Sequence, residues 1–305
     1  MTLERPVTNT GDVALAVDSP VATPETRHAI FRMLWHAVNA LLILSALAAI
    51  YSSIWEYSTR RYLKGFSDAI IPAGSPPQEK IDTILDWMAY GPKRQDTLLP
   101  ASGPNRDPTD TLNYAALLKV CGTATNAFLN LADSSGLSAR RLLLLDYRQM
   151  TKHVVAEVFV DGRWIIVDPA FRQVLRNSDG LFLTREELAD PAVLRTATRN
   201  IRNDDPDYTY DRTAHVRVGR LRILAAPAKA VLDHLLPGLE GSPALSLILE
   251  RESLAALVVA FALVPIFLLF RTGLRRHGEN RLGVRPMRIR RQLWRALSAF
   301  VDASG

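Results

Sequence analysis

The sequence predicts an α+β domain held between two membrane-spanning helices. Residues 121–136 carry apolar side chains at helical spacing and close on a glycine. Two strand-like runs, 153–160 and 163–170, flank Asp161-Gly162 and read as one antiparallel hairpin. Uncharged apolar runs at 37–55 and 254–270 bracket both.

The outer runs come first. Residues 37-AVNALLILSALAAIYSSIW-55 and 254-LAALVVAFALVPIFLLF-270 are 19 and 17 residues long, near the ~20 that a bilayer core requires. Pro265 is tolerated in a membrane helix, although a buried soluble helix would also fit the second run. Ala46-Leu47-Ala48 resembles a cleavage site, but the 36 residues before residue 37 are too many for the usual charged region of a signal peptide. An uncleaved anchor is the better reading. The net charge is +6, and residues 271–305 hold nine arginines against Glu279 and Asp302. The basic excess therefore belongs to that tail and gives no reason to expect nucleic acid as a partner. Arginines beside a span mark the cytoplasmic side. The expected layout is a disordered cytoplasmic tail over 1–36, a span over 37–55, an extracytoplasmic domain over 56–253, a second span over 254–270 and a cytoplasmic tail over 271–305. Arg60, Arg61 and Lys64 argue mildly the other way. In 285-RPMRIRRQLWRALSAF-300, Ile289, Leu293, Leu297 and Phe300 fall at helical spacing with arginines on other faces. That suits an amphipathic helix on anionic lipid, or a solvated tail that only sets topology.

Within the domain, Ile81, Ile84, Leu85 and Met88 make 78-QEKIDTILDWMAYG-91 an amphipathic helix in which Trp87 packs. Residues 91–110 are rich in Pro, Gly and Asp and read as a long loop. The next helix presents Ala124, Ala127, Phe128 and Leu131 on one face and stops at Ser134-Ser135-Gly136, with Gly136 suited to a left-handed cap. Thr184-Arg185-Glu186-Glu187 is a capping box. Residues 208-YTYDRTAHVRVGRLRIL-224 alternate like strands, and His215 there is read as a surface residue, since no acid or thiol accompanies it locally.

Cys121 is the only cysteine, so its thiol has no intramolecular disulfide partner. It is either a small buried apolar residue or a nucleophile. Its place at a helix N-terminus, where unpaired N–H groups and the helix dipole favour an anion, lowers a thiol pKa. In the hairpin a two-residue loop pairs 160 with 163, 158 with 165, 155 with 168 and 153 with 170. His153 and Asp168 then become diagonal neighbours on one face, while Val154, Ala156, Val158 and Val160 face a core with Ile165 and Val167. A slip of one residue would separate His153 from Asp168. A thiolate attacks an acyl carbon, a histidine holds and returns the proton, and a carboxylate orients the ring.

The order Cys, His, Asp on a helix and two strands resembles the transglutaminase-like core of the papain-type cysteine enzymes. The resemblance is carried by Cys121-Gly122, by Gly136-Leu137-Ser138-Ala139-Arg140, by His153-x-x-x-Glu157-Val158, and by Gly162-Arg163-Trp164 leading to Asp168-Pro169. Residues 180-GLFLTREEL-188 are similar to the segment that follows in bacterial members, and the likeness spans about residues 78–190. Lys119 and Val155 depart from the family, which has glycine and an aromatic there. The resemblance implies a papain-like fold, a nucleophile helix packed on an antiparallel sheet. It implies Cys121 as nucleophile, His153 as general base and acid and Asp168 as its orienter. The implied activity is peptidase, amidase or amine-accepting acyl transfer on a protein or peptide of the cell envelope, at the inner membrane. No cofactor or metal is implied, because CxxC, HExxH, P-loop and dinucleotide motifs are missing. The rival expectation is a non-catalytic module that binds a peptide or serves as a scaffold in an envelope or secretion assembly.

Overall fold

The computed structural model describes residues 24–91, 107–113, 120–199, 201, 208–216 and 238–283. In chain order these form α1 (Pro24–Ile70), α2 (Pro77–Tyr90), α3 (Pro108–Asn113), α4 (Cys121–Ser134), β1 (Ala139–Leu145), β2 (Thr151–Val160), β3 (Arg163–Asp168) and β4 (Gln173–Val174). They continue with α5 (Arg185–Leu188), α6 (Pro191–Ala197), β5 (Thr213–Ala214), a 3-10 turn at Leu239–Gly241, α7 (Pro243–Glu250) and α8 (Glu252–Arg281). The chain divides into two compact units, Ser45–Val264 and the paired segments Met1–Leu44 with Pro265–Gly305.

In the larger unit the strands form one antiparallel sheet in the order β4-β3-β2-β1-β5. The hairpin has the expected register, Val160 opposite Arg163 and Val158 opposite Ile165. Asp161 at φ 49° and Gly162 at φ 81° make the turn, the two positive angles that a type I′ turn needs. The α4 helix lies across the face formed by Ala156, Val158, Val160, Ile165 and Val167, burying Ala124, Ala127, Phe128 and Leu131 there with α2 behind it. Gly136 ends α4 at φ 82°, and the Leu137 N–H reaches the Ala132 carbonyl at 2.9 Å, closing the last turn as a left-handed cap does.

The opposite face of the sheet is buried as well. Leu142, Leu144, Val155 and Ile166 are covered by Leu175, Leu183, Leu188, Leu194, Ile201 and Tyr210. Covering on both sides explains why β2 is almost uniformly apolar instead of alternating. The capping box forms, with Thr184 accepting from the Glu187 N–H and Glu187 accepting in return. Trp87 packs edge-on against Phe66 at 4.7 Å between ring centres.

Several expectations change. Residues 24–36, expected to be an irregular tail, are the first turns of α1, which runs on through residue 70. A short helix, Pro108–Asn113, begins within the last three residues of the stretch expected to be loop. Of residues 208–224, only Thr213–Ala214 is strand among those described. The expected amphipathic helix over 285–300 lies outside the described residues, as does most of the loop over 91–110.

Both apolar runs lie in helices long and apolar enough to cross a membrane, within His28–Ile70 and Glu252–Arg281. Their apolar side chains point largely outward: Ile43 and Leu44 on α1 and Leu269 and Phe270 on α8 are all exposed. A core helix of a soluble protein hides such residues. In the smaller unit, Arg271 Nε donates to Asn39 Oδ1 at 2.9 Å and its guanidinium sits over the Trp35 ring at 5.1 Å.

Where the apolar runs end, the larger unit carries a buried polar cluster. Arg251, 1% exposed, precedes α8 and reaches Glu56 on α1 at 3.2 Å and Asn130 and Asp133 on α4 at 2.8 and 2.9 Å. Glu56 also accepts from Ser253 Oγ at 2.7 Å and from Arg60 at 2.6 Å. Beside it, Glu250 accepts from Asn126 at 3.1 Å and pairs with Arg141. Five elements, α1, α4, α7, α8 and β1, thus meet at one largely buried knot, and one of them is the helix that begins with Cys121.

Candidate active site

Cys121 is the first residue of α4, and no side chain caps that terminus. The dipole and first-turn N–H groups of such a terminus favour an anion. Its side chain is half-buried against Leu143, Leu145, Val154 and Ala214. The helix cannot slide along the sheet, because Thr125 Oγ1, one turn further on, donates to the Val154 carbonyl at 3.0 Å. That bond places the start of α4 beside the start of β2, where His153 sits.

The β1–β2 ladder shifts register between Leu144 and Leu145, opposite His153 and Thr151. A bulge at such a place re-aims the side chains next to it. His153 and Asp168 share a face of the sheet, and His153 Nε2 lies 2.7 Å from Asp168 Oδ2. Both are buried, 6% and 1% exposed. The carboxylate divides its work: Oδ1 accepts from the N–H groups of Ala170 and Phe171 at 3.1 and 3.2 Å. Pro169, which lacks an N–H, leads the chain around Asp168 so that those later donors can reach back.

Electrostatics follow from this packing. Burial works against a charge on His153, but hydrogen bonds to Asp168 and Cys121 and the two negative charges outweigh it, raising its pKa to about 9. Burial alone would raise the Cys121 pKa. The hydrogen bond and charge of His153 and hydrogen bonds at Val154 and Gly122 reverse that, so the thiol is lowered from its ordinary value. The two shifts act in one sense, each favouring a thiolate beside an imidazolium. With Nε2 committed to Asp168, the ring's other nitrogen is the one left for sulfur. Such a set can attack an acyl carbon and return a proton to the leaving group.

Residues 64–169 match the family description of the transglutaminase-like superfamily. The chain carries a transglutaminase-like core domain. No curated relative and no solved structure matches it. The matched span takes in the end of α1, α2, α4 and the sheet through Asp168, and it holds all three of the residues singled out in the sequence.

Other residues of the site were not singled out. Tyr208 stacks on the His153 ring, with centres 4.9 Å apart and planes inclined by 16°. Phe171 meets the same ring at 5.5 Å and 44°. Tyr210 is buried beside them, and that burial, with the Asp168 charge, holds its hydroxyl well above its ordinary pKa. Phe171 directly follows the Asp168-Pro169-Ala170 turn, which was a usable signal. Tyr208 comes from a distant segment with no local cue.

His215 corrects an expectation. It is partly buried, and its Nε2 lies 2.7 Å from Glu157 Oε2. Glu157 also takes Arg140 Nε at 2.6 Å, and Arg140 lies over the Trp164 ring at 4.0 Å and donates to the Gly241 carbonyl at 2.7 Å. Arg140, Glu157 and Trp164 were all in the family-like motifs. His215 joins them because β5 pairs with β1, a long-range contact that spacing along the chain does not show. Among the described residues, no group of three or more His, Cys, Asp and Glu side chains is gathered in a way that could hold a metal.

Proposed function

We propose that this protein is a membrane-anchored thiol enzyme that acts on amide or peptide bonds of envelope proteins or peptides through a thioester on Cys121. Cys121 is the nucleophile, His153 the general base and acid, and Asp168 the group that orients the ring. The observation that carries this reading is the buried 2.7 Å His153–Asp168 pair set beside a half-buried thiol at the start of α4. A cysteine serving only as packing has no use for a histidine held by a buried carboxylate. The helix dipole and the N–H groups at the start of α4 favour the thiolate and are the natural donors for an oxyanion. Hydrolysis of the thioester is favoured over transfer to an amine, since no dry amine channel is evident in the sequence.

The outward-facing apolar side chains of both long helices support a membrane anchor, and the arginine-rich tail supports cytoplasmic termini with the catalytic domain outside.

p-Nitrophenyl acetate tests the chemistry without knowledge of the substrate. The purified full chain in detergent should release a burst of nitrophenol matching one acyl group on Cys121, located by mass spectrometry. Cys121→Ala should show none, and Asp168→Asn should acylate more slowly by on the order of 10²–10⁴-fold. A burst that survives in Cys121→Ala would end the catalytic reading.

A further inference from the structure

The aromatic cover of His153 is unexplained by the triad alone. Asp168 and Cys121 hold the imidazole by hydrogen bonds at its edge, and a ring held there still rocks about the line that joins them. Two further surfaces restrict it. Tyr208 lies nearly parallel to it at 4.9 Å, and Phe171 is tilted against it at 5.5 Å. Tyr208 is itself braced, since the Tyr210 ring meets it edge-on at 6.5 Å and Tyr210 is anchored in the core with Leu142, Val155 and Ile166.

From this geometry we propose that Tyr208 is a positioning residue: its ring fixes the plane of the His153 imidazole and keeps water from the His153–Asp168 hydrogen bond. The inference rests on the thiol-enzyme reading above and extends it to a residue outside the matched core span. Three consequences follow physically. A parallel ring leaves the imidazole one orientation, the one that serves Asp168 and Cys121 together. Excluding water strengthens the hydrogen bond, because a carboxylate oxygen in a low-dielectric site has no competing donor. The π face of the phenol also favours the charged imidazolium, since a cation within about 6 Å of an aromatic centre is attracted to the ring face. Each effect favours the thiolate–imidazolium pair over the neutral pair.

Tyrosine's hydroxyl plays no part in this account, so phenylalanine should replace it. Leucine supplies similar apolar cover but no flat face. The test compares the pH dependence of Cys121 alkylation by iodoacetamide in the full chain, for wild type, Tyr208→Phe, Tyr208→Leu and His153→Ala, with folding checked by circular dichroism. Tyr208→Phe should follow the wild-type profile. Tyr208→Leu should shift its midpoint upward and lose about tenfold in rate at pH 7, the scale of a desolvated cation–π contact. If Tyr208→Leu is not recovered folded, Tyr208→Met, which is bulkier and more pliant, makes the same comparison. Leucine or methionine variants that keep the wild-type profile, or a phenylalanine variant that shifts as they do, would overturn the positioning role while leaving the triad intact. A His153→Ala profile identical to wild type would instead bring down the triad and the inference together.

Discussion

At the scale of the residue, the site is governed by where two protons reside. The charge on His153 is favoured in the folded chain, so it contributes stability in full below its ordinary pKa of 6.5, and that contribution is lost as pH rises through about 9. The lowered Cys121 has the opposite sense: its thiolate contributes above the ordinary value of 9.0 and loses that contribution as pH falls through its lowered value. Between the two lies the window in which both are charged. Alkylation of wild-type Cys121 should therefore have its midpoint below the ordinary thiol value of 9.0. Asp168→Asn removes the carboxylate that favours the cation, so the imidazolium gives up its proton at lower pH and the thiolate loses its partner. The alkylation midpoint should move up toward that of an ordinary thiol, with a slower rate at pH 7. A midpoint unmoved by Asp168→Asn would mean that Asp168 does not govern the pair.

At the scale of the element, what the sequence revealed was local order. The α4 stripe, the Asp161-Gly162 turn, the hairpin register and the Thr184 capping box each arise from residues within a turn or two of one another, and spacing reports such relations directly. Cys121, His153 and Asp168 were legible for the same reason: one opens a helix, and the others share a face of a single hairpin. Tyr208 and His215 were not, because the β1–β5 pairing that brings their segment in is long-range. Nor was the Arg251 knot, whose partners Glu56, Asn130 and Asp133 lie on two other helices. Each of these residues looks unremarkable in its own stretch of sequence. The knot has a measurable consequence. Arg251→Met takes a buried cation from Glu56, which keeps Arg60 and Ser253, and from the half-exposed Asp133, so the cost falls below that of a fully orphaned buried charge, at about 1–3 kcal/mol. Denaturant unfolding of the detergent-solubilised chain should show a loss of that size, with Arg251→Lys recovering part of it. A loss under about 1 kcal/mol would mean that water and Arg60 make good the lost cation.

At the scale of the whole molecule, the proposed topology rests on charge and on what the long helices expose. The apolar runs end at the same kind of boundary: Glu56 follows the first, Arg251 precedes the second, and the two are paired by a 3.2 Å contact. Charges that share a hydrogen bond lie at one level, which is what the proposed helical hairpin requires of two runs that leave the apolar layer on the same side. At the other ends, Arg271 rests on Asn39 and Trp35, where an aromatic ring and a long cation suit a membrane–water interface. Nine arginines follow residue 270, against only Arg60, Arg61 and Lys64 just beyond residue 55. In the proposed topology that excess sets the tail inside and Cys121 outside. A reporter active only in the cytoplasm should therefore signal when fused after residue 283, and one active only after export should signal when inserted near residue 105. Changing the arginines at 275, 276 and 281 to glutamine should weaken both signals without altering p-nitrophenyl acetate acylation of the purified chain, because the three lie in the smaller unit and Cys121, His153 and Asp168 in the larger. A cytoplasmic signal from residue 105 would invert the hairpin and move the substrate of Cys121 from the envelope to the cytosol.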